Sequence, residues 1–359
     1  MSHRVRTLYA AFLLVVGLLV WIAGLSAQQA APALTAITRQ QVIDGAIDHM
    51  QRGYIFEDVA EKMAAALRAH AKAGAYDAIT SGADFAARLT THLQDVSKDK
   101  HLRILYNPAG IAGAQPPTTD EERTRRVAAE RRNNYGLHRA ERLDGNVGYI
   151  ELRGFSGSQE AGGAVAAAMN LLANTDALLF DLRRNGGGSP VTIGFISSYL
   201  FDKRVHLNDF YVRETGRRES FHTSETVDGR RYGESKPVYI LTSNRTFSAA
   251  EEFTYNLKNL KRAVVVGETT GGGAHPGGVR RITDHFGIWL PSGRAINPIT
   301  GTNWEGVGIA PDIAVDPADA LRVAHLDALR KIRATATDPE HRNEIDRVIA
   351  ALGKSGETE

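Results

Sequence analysis

Four short, almost unbroken apolar runs constrain this 359-residue chain more than anything else in it: Val147-Gly-Tyr-Ile-Glu-Leu152, Ala177-Leu-Leu-Phe-Asp-Leu182, Pro237-Val-Tyr-Ile-Leu241 and Ala263-Val-Val-Val-Gly267. Runs this short, rich in β-branched residues, predict buried strands rather than helices. Helical patterns lie between and beyond them. Ser158 to Ala173 is Ala-rich, Val191 to Leu200 is apolar, and Ala249, Ala250, Phe253 and Leu257 share one helical face. Strand–helix–strand alternation predicts an α/β fold, a mostly parallel sheet with helical cover.

The flanking segments read differently. Thr38-Arg-Gln-Gln41 resembles a capping box opening a helix with Val42, Ile43, Ala46, Ile47 and Met50 on one face. Glu57 to Ala73 repeats the pattern, and Ser81 and Asp84 open a third helix, so a small helical bundle is expected. Pro116 to Asn134 holds a proline turn and a charged helix. Leu143-Asp-Gly-Asn146 reads as a turn between two strands, and Val205 to Tyr232 as a β excursion turning at Asp228-Gly229. A hairpin is expected around Pro291-Ser-Gly293, and two helices over Ala318 to Leu352.

Arg4 and Arg6 precede an apolar run from Leu8 to Leu25, followed by Ser26-Ala27-Gln28. This is the outline of a secretory leader, cleaved after Ala27, although the run is almost long enough to remain as a membrane anchor. Either way an exported location, periplasmic or secreted, is expected. Without Arg4 and Arg6 the basic and acidic residues balance at 41 each, which offers nucleic acid no electrostatic footprint. Cysteine is absent, which excludes thiol catalysis and thiolate metal sites. The histidines show no HExxH or paired spacing, so neither a metal nor a cofactor is expected.

In open α/β sheets, sites collect beyond the carboxyl ends of parallel strands. Three loops qualify. Asn185-Gly-Gly-Gly188 lacks the lysine of a P-loop. Ser248 sits where a strand-end loop turns into a helix, a place for an N-cap or for a nucleophile beside free backbone amides. Gly267 to Gly278 is Gly-rich and carries His275.

Asp181-Leu-Arg-Arg-Asn-Gly-Gly-Gly188, Thr246-Phe-Ser-Ala-Ala-Glu-Glu252, Val265-Val-Gly-Glu-Thr-Thr270 and Glu305-Gly-Val-Gly-Ile-Ala-Pro-Asp312 resemble, in this order, the tail-specific (C-terminal-processing) serine peptidase family. Tyr76-Asp-Ala-Ile79 and Asp99-Lys-His-Leu-Arg103 resemble the branch containing interphotoreceptor retinoid-binding protein. The resemblance implies a crotonase/ClpP-like ββα-spiral core with an N-terminal helical bundle. It implies Ser248 as nucleophile, with the amides of Ala249 and of Gly187 or Gly188 as oxyanion hole. The family's base is a lysine in the loop after Val-Val-Gly-Glu, and that loop holds none here. The tricorn-like branch uses a histidine and a late glutamate, which His101 and Glu305 match; His275 is the alternative base. A PDZ module is missing between Tyr106 and Asn146.

The expected organisation is a leader or anchor (1–27), an N-terminal helical domain (37–106), a loop and charged helix (107–135), a catalytic core (136–316) and C-terminal helices (317–359). The expected function is an exported serine-type peptidase acting on peptide or protein substrates through an acyl-serine intermediate. The competing expectation is a noncatalytic carrier of a hydrophobic small ligand, a retinoid or fatty acid. Membrane contact is expected only through an uncleaved N-terminal segment.

Overall fold

The computed structural model describes residues 34–111 and 119–354, so the expected leader or anchor over 1–27 lies outside the described residues. Among the described residues no helix is long and apolar enough to cross a membrane. Helices α1 (Ala36–Gly53), α2 (Glu57–Lys72) and α3 (Gly82–Ser97) come first, then strand β1 (Arg103–Tyr106) and helix α4 (Asp120–Arg132). There follow β2 (Leu137–Leu143), β3 (Val147–Leu152), α5 (Ala161–Leu171), β4 (Ala177–Asp181) and α6 (Pro190–Ser198). Next are β5 (His206–Val212), β6 (Arg217–His222), β7 (Val238–Thr242), α7 (Ala249–Asn259) and β8 (Val264–Gly267). The chain ends with β9 (Gly277–Arg281), β10 (Phe286–Pro291), β11 (Gly293–Ile296), β12 (Ile313–Ala314), α8 (Ala320–Thr335) and α9 (Pro339–Lys354).

The central sheet has the order β12-β8-β7-β4-β3-β2, parallel except for the antiparallel β2–β3 pair. Its central strands β4 and β7 lack polar alternation because both faces are covered. Along β4 and β7 successive side chains serve two cores. Leu178, Phe180, Val238 and Ile240 pack under α5, α6 and α7. Ala177, Leu179, Tyr239 and Leu241 pack under α8 and α9. Phe253 of α7 is fully buried, 5.3 Å from the Phe180 ring and 5.7 Å from that of Phe155, which ties the helix to the sheet. Burying such a side chain contributes about 1.5–3 kcal/mol.

The three N-terminal helices bury Met50, Met63, Leu67, Phe85 and Leu89 against Phe286, Ile288 and Leu290 of β10. Strand β1 extends this contact by pairing antiparallel with β10, which pairs in turn with β9. Ser81 caps α3, accepting from the Asp84 amide at 3.3 Å. The cap of α1 is Thr35 rather than Thr38; Thr35 Oγ1 accepts from the Thr38 amide at 3.1 Å and the helix begins three residues earlier.

One expected turn is corrected. No hairpin forms around Pro291-Ser-Gly293, because the Ser292 and Gly293 amides both donate to the Pro276 carbonyl at 3.0 Å. The chain switches sheets there, β10 staying with β9 while β11 joins β5. The β excursion holds the β5–β6 hairpin, which reverses at Arg213–Gly216, where Gly216 supplies the positive φ (64°); Asp228-Gly229 lies beyond β6 as a bend, with Gly229 at φ 91°.

The outcome for function is simple. Strands β4, β7 and β8 are neighbours, so the loops leaving their carboxyl ends converge. The β1–β10 pairing brings residues 98–102 to the same edge.

Candidate active site

Ser248 stands at the mouth of α7 with φ 57° and ψ −122°, a backbone region that non-glycine residues rarely adopt and that costs about 1–3 kcal/mol. The amide of Ala249, the first residue of the helix, has no partner among the described residues. Gly187 lies directly against this turn: a Cβ there would sit 2.8 Å from Ser248 Cβ and 3.0 Å from the Ala249 nitrogen, and its φ is +109°. The two amides offered by the Gly-rich loop are not equivalent. That of Gly187 donates to Asn185 Oδ1 at 2.8 Å, whereas that of Gly188 is uncommitted among the described residues. Asn185 is itself buried and donates to the Leu152 carbonyl at 3.1 Å.

Glu251, one turn into α7 and fully buried, was not singled out from the sequence. Its carboxylate accepts from the Ser248 amide at 2.9 Å, the Thr270 hydroxyl at 2.5 Å, and the Gly272 and Gly273 amides at 2.6 and 2.8 Å. Burial raises its pKa, and these four hydrogen bonds oppose that rise. The Ser-x-x-Glu spacing, a capping-box signature, was the available signal. Lys100, arriving from the other side, donates to the Gly271 carbonyl at 2.5 Å. A lysine thus reaches the Gly-rich loop although none lies in it.

The second cluster gathers Asp99, His101, His275 and Glu305, from three separate parts of the chain. His275 Nδ1 is 2.8 Å from Asp99 Oδ2 and 3.5 Å from Glu305 Oε2. Asp99 also accepts from the Tyr54 hydroxyl at 3.2 Å and from the His101 amide at 3.0 Å. Glu305 Oε2 accepts from the Ala274 amide at 2.5 Å. Two buried atoms are left without partners, His101 Nδ1 and Glu305 Oε1. One ligand atom each of Asp99, His101 and Glu305 lies within 4.8 Å of the others.

Burial, reinforced by the charge of Asp99, raises the Glu305 pKa to about 7, against the opposing pull of His275 and the Ala274 amide. Burial also lowers the His101 pKa to about 4, so its imidazole is neutral at physiological pH. The two clusters meet at Phe247, the residue before Ser248, whose ring centroid is 4.6 Å from that of His101. No hydrogen bond links the Ser248 hydroxyl to either imidazole among the described residues. Catalytic contacts of this kind are commonly long in unliganded enzymes and tighten on substrate binding. His275 is turned toward Asp99 and packs edge-on to Phe56, centroids 5.4 Å apart.

A parallel sheet whose strand-end loops surround a serine at a helix mouth defines an α/β protein of the C-terminal-processing and tricorn protease fold. The chain resembles a candidate peptidase of Parabacteroides merdae with a TM-score of 0.54 at 19% identity, covering 77% of this chain and 90% of that one. It resembles the tricorn protease with a TM-score of 0.50 at 14% identity, covering 88% of this chain and 37% of that one. At these identities the likeness speaks for the fold alone. Peptidase family S41 matches residues 146–315, and the N-terminal domain of that family in eukaryotic IRBP matches residues 26–135. The chain belongs to peptidase family S41. A similar curated protein is the chloroplastic carboxyl-terminal-processing peptidase 2 of Arabidopsis thaliana, 33% identical over 168 residues, which are 46% of this chain and 31% of that protein. The chain matches about a third of the length of the first such relatives.

Proposed function

We propose that this chain is a serine-type peptidase cleaving peptide or protein substrates through an acyl-Ser248 intermediate. The observation that carries the reading is the strained Ser248 turn at the mouth of α7, where the Ala249 amide is uncommitted among the described residues and Gly187 of the Gly-rich loop lies against the serine. In this mechanism Ser248 Oγ attacks the scissile carbonyl carbon while its proton passes to His101. The oxyanion accepts hydrogen bonds from Ala249 and Gly188, and the helix end adds a favourable field. The C–N bond then breaks as His101 returns the proton to the leaving amine. Water, deprotonated by His101, hydrolyses the acyl-enzyme to a carboxylic acid.

Glu305 holds the imidazolium formed at His101. The support is that His101 Nδ1 and Glu305 Oε1 are the two buried atoms left unpaired in one small cluster. His101 is preferred to His275 because its ring lies against Phe247, the residue before Ser248, whereas the His275 ring packs on Phe56. Gly187 acts in shape: its missing side chain makes room for the turn, and its amide is spent on Asn185.

Export is part of the reading, carried by Arg4, Arg6 and the apolar run from Leu8 to Leu25. So is the division into an N-terminal helical domain (37–106) and a catalytic core (136–316) without a PDZ module. Mass spectrometry of the protein mixed with an activated ester substrate tests the central step. Wild type is expected to gain one acyl group on the peptide containing Ser248, and Ser248→Ala none. An unmodified Ser248 in folded wild-type protein would contradict the reading.

A further inference from the structure

The Asp99–His101–Glu305 cluster holds more than a catalytic triad requires. A triad uses one carboxylate to orient its imidazole; here a buried carboxylate, Asp99, and a half-buried one, Glu305, lie near the same ring. His101 and Glu305 are each pinned at one point and leave a ligand atom without a partner, and Asp99 adds an oxygen with a single partner. Glu305 is fixed through Oε2 by the Ala274 amide, with Oε1 unpaired. His101 is fixed through its backbone and is 95% buried, with Nδ1 unpaired. Asp99 is oriented by the Tyr54 hydroxyl and by His275, and its Oδ1 accepts only the His101 amide. Ligand carboxylates held by outer hydrogen-bond donors are what metal sites use to set their geometry.

We infer that Asp99, His101 and Glu305 bind one divalent transition-metal cation, and that the bound cation switches the peptidase off. An imidazole with two carboxylates suits a borderline cation such as Zn²⁺. The sequence spacing hid this set because Glu305 comes 204 residues after His101. The regulatory half of the inference rests on the Ser248–His101 reading proposed above. A cation on Nδ1 obliges a neutral imidazole to carry its proton on Nε2, so His101 can no longer accept the Ser248 proton. It also occupies the Glu305 oxygen that would steady the imidazolium. Inhibition therefore falls on the acylation step.

Calorimetric titration with Zn²⁺ tests the site on the Ser248→Ala protein, which keeps every ligand and needs no activity. The stacked pairs His70–His92 and His206–His222 lie outside the cluster and are the same in every variant, so the readout is the difference between variants. Adding Glu305→Gln is expected to remove one equivalent of binding or to weaken it at least about tenfold. Asp99→Asn, separately, is expected to do the same, with circular dichroism confirming that both remain folded. Identical titrations for Ser248→Ala and its folded ligand variants would overturn the site. In wild type, Zn²⁺ is expected to slow fluorophosphonate labelling of Ser248 and a chelator to restore it. Unchanged labelling at saturating Zn²⁺ would overturn the regulatory role. Failure of metal-free wild type to label would instead count against the peptidase reading, and the titration would still decide the cation site.

Discussion

The Glu251 carboxylate receives the backbone N–H of Ser248 at 2.9 Å and, with its other contacts, the Thr270 hydroxyl and the amides of Gly272 and Gly273. One buried side chain therefore fixes the serine turn and the Gly-rich loop relative to each other. Replacing it by alanine leaves four donors facing an apolar gap. Glu251→Ala is expected to lose at least about 3 kcal/mol of unfolding free energy, measured by urea denaturation, since each stranded buried donor costs about 1–3 kcal/mol. A loss under 1 kcal/mol would show that the loop does not depend on this clamp.

The backbone of Ser248 makes a second expectation. Glycine adopts φ 57° and ψ −122° without a Cβ penalty, and alanine does not. Both Ser248→Gly and Ser248→Ala abolish labelling, but the glycine variant should be more stable by about 1 kcal/mol. Equal melting temperatures for the two would argue that the turn is unstrained in solution.

Glu252, the next residue along α7, is buried, and among the described residues its carboxyl group has one hydrogen-bond partner, Asn208 Nδ2 at 3.4 Å from Oε1. Burial raises its pKa to about 8. Between the ordinary carboxylate range and about 8 the folded state binds a proton that the unfolded state releases. Stability from this group is thus present at low pH and lost as pH rises through about 8. Glu252→Gln, which mimics the protonated form, should flatten the decline in melting temperature across that interval. A variant that follows the wild-type curve would place the proton elsewhere.

The pH dependence of acylation reads Glu305. With its pKa at about 7, lowering pH below that value protonates the carboxylate and removes support for the imidazolium. The labelling rate should fall toward acid pH with a midpoint near 7. Asp99→Asn deletes a negative charge that holds the Glu305 pKa up, so the midpoint should move to lower pH. A midpoint that rises or stays in place would contradict this assignment.

Much of this architecture was legible in the sequence because burial on both faces leaves a simple trace. Strands β3, β4 and β7 were marked by apolar runs, and Ser248 by the junction between such a run and a helical face. What escaped was decided by contacts between distant segments. The Pro291-Ser-Gly293 turn resembles a hairpin locally, but bonds to the Pro276 carbonyl carry the chain into another sheet. Thr38-Arg-Gln-Gln41 matches a capping box, yet Thr35 caps first and the helix swallows Thr38. The role of Asp99 depends on Tyr54 and His275, 45 and 176 residues away, so no spacing could announce it. Glu251 was visible as Ser-x-x-Glu, but only the folded loop gives its carboxylate three further donors. The choice between Gly187 and Gly188 hinged on the Asn185 side chain, which the run of glycines concealed.

The most direct test of the central claim is the second-order rate of fluorophosphonate labelling of Ser248 in wild type, His101→Gln and His275→Gln. Loss of the general base should slow His101→Gln by at least about 100-fold, while His275→Gln, which removes a residue acting through Asp99 and Glu305, should label distinctly faster than His101→Gln. Normal labelling of His101→Gln beside a silent His275→Gln would transfer the role of base to His275 and contradict the mechanism as drawn.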